Sequence, residues 1–143
     1  IYFHPVPWLE LGLETQFPLL SKVGDFTEIV GSLRYMPTDN LELTVRHRFL
    51  NDHPILQDSI RFEYGAFKRF NKDWGAGFSH RWEIDDSVLE YQHYSVHRTF
   101  DNWIVSLGLF HRNHRYDNEF GAMIGLTLRE FPSINLPLKV GAD

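Results

Sequence analysis

What most narrows the fold of this chain is a hydrophobic period of two, repeated in segments of about ten residues along nearly its whole length. Side chains alternate faces at each residue of a β-strand, so this period builds ribbons with one apolar and one polar face. A helix would need a stripe recurring at about 3.6 residues. Residues 41–50 place Leu41, Leu43, Val45 and Phe49 on one face and Glu42, Thr44, Arg46 and Arg48 on the other. Residues 59–70 set Ile60, Phe62, Tyr64 and Ala66 against Arg61, Glu63 and Gly65, and 74–83 set Trp74, Ala76, Phe78 and Trp82 against Gly75, Gly77, Ser79, Arg81 and Glu83. The same rhythm runs through 8–16 (Leu9, Leu11, Leu13), 26–36 (Ile29, Leu33, Tyr35), the segment from Trp103 (Val105, Leu107, Leu109) and 119–131 (Phe120, Ala122, Ile124, Leu126, Leu128). Residues 87–99 change parity between Tyr91 and Tyr94, which predicts a β-bulge near His93. Turn chemistry separates the segments at 37–40, 71–73, 84–86, 99–102 and 114–118, with a longer loop at 51–57. The expectation is an all-β fold: an antiparallel up-and-down meander of about eight strands.

Period alone does not say what the apolar face touches. A soluble sandwich or carrier turns it inward, whereas a membrane barrel turns it to lipid and lines its lumen with the polar face. The segments match the roughly 9–11 residues of a tilted membrane strand better than the soluble mode of about 5–6. Aromatic residues cluster at segment ends, as at Tyr35, Phe49, Phe70, Trp74, Trp82, Trp103, Phe120 and Phe131, where interfacial girdles would lie. The polar faces mix Arg and Glu with Gly and hold little Lys, which suits a crowded hydrogen-bonded interior. Mean hydropathy is −0.32 and no stretch nears the roughly 18 apolar residues of a spanning helix, which excludes a helical membrane protein but not a barrel. The expected orientation puts Leu43, Val45, Phe62, Tyr64, Phe78, Leu107, Leu109, Ile124 and Leu126 against lipid and Arg46, Arg61, Arg81, Glu63 and Thr127 inside. His47, His80 and His111 interrupt the apolar face and are expected at headgroup level.

A net charge of −5 argues against a nucleic-acid partner, which draws basic surfaces. Zero cysteines exclude disulfide scaffolds, thiolate metal centres and cysteine nucleophiles. The chain starts at Ile1 with no basic n-region and apolar h-region behind it, so it either begins after processing or is a piece of something longer; the expectation is a piece, a single β-barrel segment over 1–143. Residues 119–131 read as its last spanning strand because Pro132 cannot donate to a ladder, and 132–143 as a tail.

No set of residues predicts an active site, a metal or another cofactor, and the chain is not expected to be an enzyme. His111 and His114 fall on a strand running into a turn and do not converge. His93 and His97 share a face but stand roughly 13 Å apart. Ser79, His80, Asp85 and Asp86 could make up a triad but bring no nucleophile elbow or oxyanion donor. The acidic turns at Asp39, Asp52, Asp58, Asp85, Asp86, Asp101 and Asp117 follow from turn propensity, with bridging of lipid phosphates by divalent cations as the functional reading. The most informative set is Glu42, Arg46, Arg48, Arg61, Glu63 and Arg81 with Glu83. It reads either as a ladder of ion pairs holding register or as guanidinium groups presented to phosphorylated sugars.

Several words of the sequence carry a resemblance. They are Pro5-Val6-Pro7-Trp8-Leu9-Glu10-Leu11, Asp25-Phe26-Thr27-Glu28, Arg46-His47-Arg48-Phe49-Leu50-Asn51-Asp52, Leu89 through Arg98, Trp103 and Arg129-Glu130-Phe131-Pro132. Together they resemble the C-terminal barrel region of the LptD family, the outer-membrane lipopolysaccharide-assembly proteins also called organic solvent tolerance proteins. Tyr94, Arg98 and Trp103 fit its Tyr-x-x-x-Arg-Asp segment and following Trp, with Thr99 where Asp is common. The resemblance implies an outer-membrane location, remaining barrel strands, a plug lipoprotein partner, and delivery of lipopolysaccharide to the outer leaflet through a lateral gate. Under it, Glu42, Arg46, Arg48, Arg61, Glu63 and Arg81 would line the lipopolysaccharide path, and Glu119, Gly121, Gly125, Thr127 and Arg129 the gate strand. The family's disulfides have no counterpart in this cysteine-free chain. The alternative is a self-contained barrel of about eight strands, either a structural outer-membrane protein or a soluble carrier of a lipophilic ligand.

Overall fold

A computed structural model describes residues 1–16, 27–52, 58–114, 117–129 and 135–142. Its strands are β1 (Tyr2–Val6), β2 (Leu9–Gln16), β3 (Thr27–Thr38), β4 (Leu41–Asn51), β5 (Ser59–Arg69), β6 (Trp74–Glu83), β7 (Val88–Thr99), β8 (Trp103–His114), β9 (Asp117–Leu128) and β10 (Asn135–Ala142). They form one sheet in chain order, each strand antiparallel to the next. The meander is as expected, but with ten strands among the described residues rather than about eight. Among the described residues the edges β1 and β10 do not touch, so the sheet is open.

Local chemistry explains the connections. Asn71 Oδ1 accepts the N–H groups of Asp73 and Trp74, each at 2.9 Å, and folds the chain between β5 and β6. Between β6 and β7 the Ser87 N–H donates to the Ile84 carbonyl at 3.1 Å, and Ser87 takes a left-handed φ of 53°. The β8–β9 turn is tighter than the expected 114–118, because His114 already pairs with Asp117.

The parity change in β7 is real but sits earlier than His93. Trp82 pairs with Leu89 and Arg81 with Tyr91, so Glu90 is the extra residue. The bulge leaves Leu89 on the apolar face and turns Tyr91, with its ring stacked on His93, to the polar one.

Register sorts the side chains of the sheet into two faces: the residues expected against lipid share one, the apolar face, and those expected inside share the other, the polar face. Burial is inverted relative to a soluble sheet. The buried apolar residues Leu50 (2% exposed), Phe110 (2%) and Val30 (6%) all lie on the polar face, as do buried Ser59 and Glu83. Leu107, Leu109, Tyr94 and Ile124 stand exposed on the apolar face. Of the aromatic residues expected at segment ends, Tyr35, Phe70, Trp74 and Trp103 fall at one end of that face and Phe49, Trp82 and Phe120 at the other, while Tyr64, Phe78 and Tyr94 occupy its middle. Glu130, Phe131 and Pro132 lie outside the described residues, as do 17–26 and 53–57.

Two glycines show how closely the strands approach. A Cβ at Gly65 would lie 2.7 Å from the Phe78 carbonyl oxygen, a backbone atom that cannot move aside, whereas at Gly31 nothing stands within 4 Å. Gly65→Ala is expected to cost about 1–3 kcal/mol through this overlap, and Gly31→Ala to be neutral or mildly stabilising. Denaturant titration of the two variants checks the contrast, and equal midpoints would refute it.

Candidate functional site

The polar face of β3 to β7 carries the charged residues that stood out in the sequence. Direct register rows run Ser32, Arg46, Glu63, Arg81, Tyr91 and, two residues along, Val30, Arg48, Arg61, Glu83, Val88. The first row alternates in sign, but the second sets Arg48 opposite Arg61, a like-charge pair that would push the strands apart. Each arginine instead turns to a carboxylate. Arg48 Nε donates to Glu28 at 2.7 Å, and Arg61 Nε lies 3.0 Å from Glu83 and 3.2 Å from Glu90. Arg81 pairs with Glu63 and stacks over the Tyr91 ring, 5.9 Å from its centroid. Glu83 is buried, and its second oxygen accepts the Ile60 N–H at 2.9 Å.

Arg46 stands apart. Its register partner Glu63 is engaged by Arg81, and Arg46 forms no ion pair among the described residues. With Arg48, Arg61, Arg81, Glu28 and Glu63 it lines a cavity of about 300 Å³, four guanidinium groups against two carboxylates. A neighbouring cavity of about 290 Å³ shares Arg46, Glu63 and Arg81 and adds the hydroxyls of Ser32, Thr44, Ser79 and Tyr91. A cationic hollow edged with hydroxyl donors can take up phosphate or sulfate bidentately.

The structure therefore brings together five of the six residues expected on the path. Glu42 is elsewhere: it accepts from Arg34 Nη2 at 2.8 Å and lines a separate hollow of about 170 Å³ with Thr44, Phe67 and His93. Glu28 and Glu90 are members that sequence reasoning missed. Glu28 needed the β3–β4 register, and Glu90 faces Arg61 only because of the bulge. The expected gate residues Glu119, Gly121, Gly125 and Thr127 lie on β9, with Arg129 just beyond it. β9 is paired on both sides, so the edge falls one strand later, at β10 in the segment expected as a tail.

The other sets do not converge on chemistry. Ser79 and His80 are adjacent on β6 and so point to opposite faces, which breaks the Ser79, His80, Asp85, Asp86 arrangement. His80 is held on the apolar face by two phenols, Tyr64 at 3.1 Å from Nδ1 and Tyr94 at 2.9 Å from Nε2. Its two polar ring atoms are thus both engaged within the protein. His97 bonds the hydroxyls of Ser95 and Ser106 on the polar face, while His93 stacks on Tyr91. No group of three metal-ligating side chains converges among the described residues.

No protein-family model, curated protein or solved structure matches this chain.

Proposed function

We propose that this sheet is part of the wall of an outer-membrane β-barrel of the lipopolysaccharide-assembly type. Its apolar face meets lipid, and its Arg/Glu face lines the lumen through which the phosphorylated saccharide of lipopolysaccharide passes. The observation that carries the reading is the inverted burial: Leu50, Phe110 and Glu83 are enclosed on the polar face, while Leu107, Leu109 and Ile124 stand open on the other. A soluble sheet would place those leucines in its core, whereas a barrel wall places them against acyl chains. The open edges support a larger barrel that further strands complete, because unpaired edges do not stand in hydrocarbon. Arg46, without an ion pair among the described residues and in a hollow with a guanidinium excess, supports phosphate as the group that passes.

The test is site-specific photocrosslinking in Gram-negative cells that export lipopolysaccharide through the intact protein. A photoreactive residue at Ser32 or Thr44, on the cavity rim, is expected to capture lipopolysaccharide, and one at Leu107 to capture glycerophospholipid. Capture of no lipopolysaccharide from either rim position would remove the transport reading and leave the two-faced wall standing.

A further inference from the structure

We infer that the apolar face carries a binding site for one anionic glycerophospholipid, with its acyl chains in a hollow between β4 and β9 and its phosphate at Arg98. The inference rests on the lipid-facing reading of that face. The hollow measures about 950 Å³, and small side chains at Ala66, Ala76 and Ala122 leave the space beside Phe78, Leu107 and Ile124. That volume lies in the range of a pocket for a whole small ligand, roughly 300–1,000 Å³.

Charge fixes which end of the lipid goes where. In the described strands every glutamate, Glu10 to Glu119, lies on the polar face, and the apolar face of β4 to β9 carries just two charged groups, Lys68 and Arg98. Both stand toward the same end. Lys68 lines the hollow, and Arg98 lies one position of the same face beyond Val96, which also lines it. Arg98 lies over two aromatic rings, its guanidinium carbon 5.0 Å from the Trp74 centroid and 4.7 Å from that of Phe100. These ring contacts spend none of its N–H groups and no carboxylate pairs with it among the described residues, so its N–H groups are left for an anion. Trp103 stands at the same end, the level at which indoles meet headgroups.

The connections identify the leaflet. The Arg98 end carries the links 7–8, Asp39–Asn40, 70–73, 100–102 and 129–134, and the opposite end 17–26, 52–58, 84–87 and 115–116, so the two longest links fall at the end away from Arg98. Outer-membrane barrels keep short turns in the periplasm, so the lipid is a glycerophospholipid of the periplasmic leaflet rather than lipopolysaccharide.

The test reconstitutes the intact protein, with Trp8, Trp82 and every tryptophan outside these 143 residues replaced by Phe so that Trp74 and Trp103 report, into phosphatidylcholine vesicles containing brominated phosphatidylglycerol or brominated phosphatidylcholine. Quenching gives the relative association of the two lipids. Phosphatidylglycerol is expected to be preferred about fivefold, the equivalent of ~1 kcal/mol for a cation at an anionic headgroup. Arg98→Gln should bring the preference to about one, and Arg98→Lys, which keeps the charge but loses the planar fork, to about twofold. An unchanged preference in either variant, with quenching by both lipids intact, overturns the site and leaves the lipid-facing reading standing. Quenching by neither lipid overturns both. Loss of the preference to inorganic phosphate, at an ionic strength where chloride has no effect, assigns Arg98 to the free anion and overturns the lipid.

Discussion

Replacing Leu107 by Arg is expected to cost about 2–4 kcal/mol of folding free energy in a bilayer, enough to abolish insertion of a marginally stable barrel. Leu107 lies midway along β8 between Trp103 at one end and His111 toward the other, and pairs with Val96 and Ile124 on the apolar face. It is 55% exposed. The same exposure predicts opposite outcomes in the two settings. If water covers this face, Arg at a half-open strand position shifts stability by no more than about 0.5 kcal/mol and improves solubility. If acyl chains cover it, the guanidinium must be dragged into hydrocarbon or snorkel past Val105 and Trp103. Refolding of the variant and the parent into phosphatidylcholine vesicles, followed by denaturant titration, measures the difference. A variant that inserts with the parent's midpoint would end the lipid-facing assignment, and the two proposals built on it would fall together.

The strands and the two faces were legible because a period of two survives any error in register. The eight alternating segments read from sequence are all present as β2 to β9, and each residue assigned to a face is on it. The two additional strands were illegible for different reasons. β1 holds only Tyr2–Val6, too few residues for a period to declare itself, with Pro5 inside it. β10 does alternate, Leu136, Leu138 and Val140 against Pro137, Lys139 and Gly141, but Pro137 and Gly141 read as strand breakers. An edge strand tolerates both because one side of its ladder is unpaired. The site was half legible. Arg46, Arg61, Glu63 and Arg81 follow from parity alone, whereas the choice of partner depends on register and on one bulge. Without Glu90 as the extra residue, Arg61 would have one carboxylate rather than two, and Tyr91 would not lie beneath Arg81.

Glu83→Ala is expected to destabilise the protein by about 3 kcal/mol, the largest effect of any single polar-face substitution in the Arg/Glu ladder. Glu83 is 5% exposed and spends both oxygens, one on the Ile60 N–H at 2.9 Å and one on Arg61 Nε at 3.0 Å. Its loss orphans a backbone donor at the end of the β5–β6 ladder, worth about 1–3 kcal/mol, and leaves Arg61 opposite Arg48 with Glu90 as its remaining counter-charge. Glu83→Gln separates the two contributions, since an amide oxygen still accepts from Ile60 while the charge is gone. It should cost about half as much. Glu42→Ala is the control: in the Arg34–Glu42 pair Arg34 is exposed and Glu42 partly so, and such surface pairs contribute less than about 1 kcal/mol. Denaturant midpoints of the three variants should therefore fall in the order Glu42→Ala, Glu83→Gln, Glu83→Ala, counting from the parent downward. Raising the salt concentration should leave the Glu83→Ala gap open, because the pair is shielded from screening by burial. If Glu83→Ala matches Glu42→Ala, the second register row is not a structural tie. Arg61 would then be as available to a passing phosphate as Arg46.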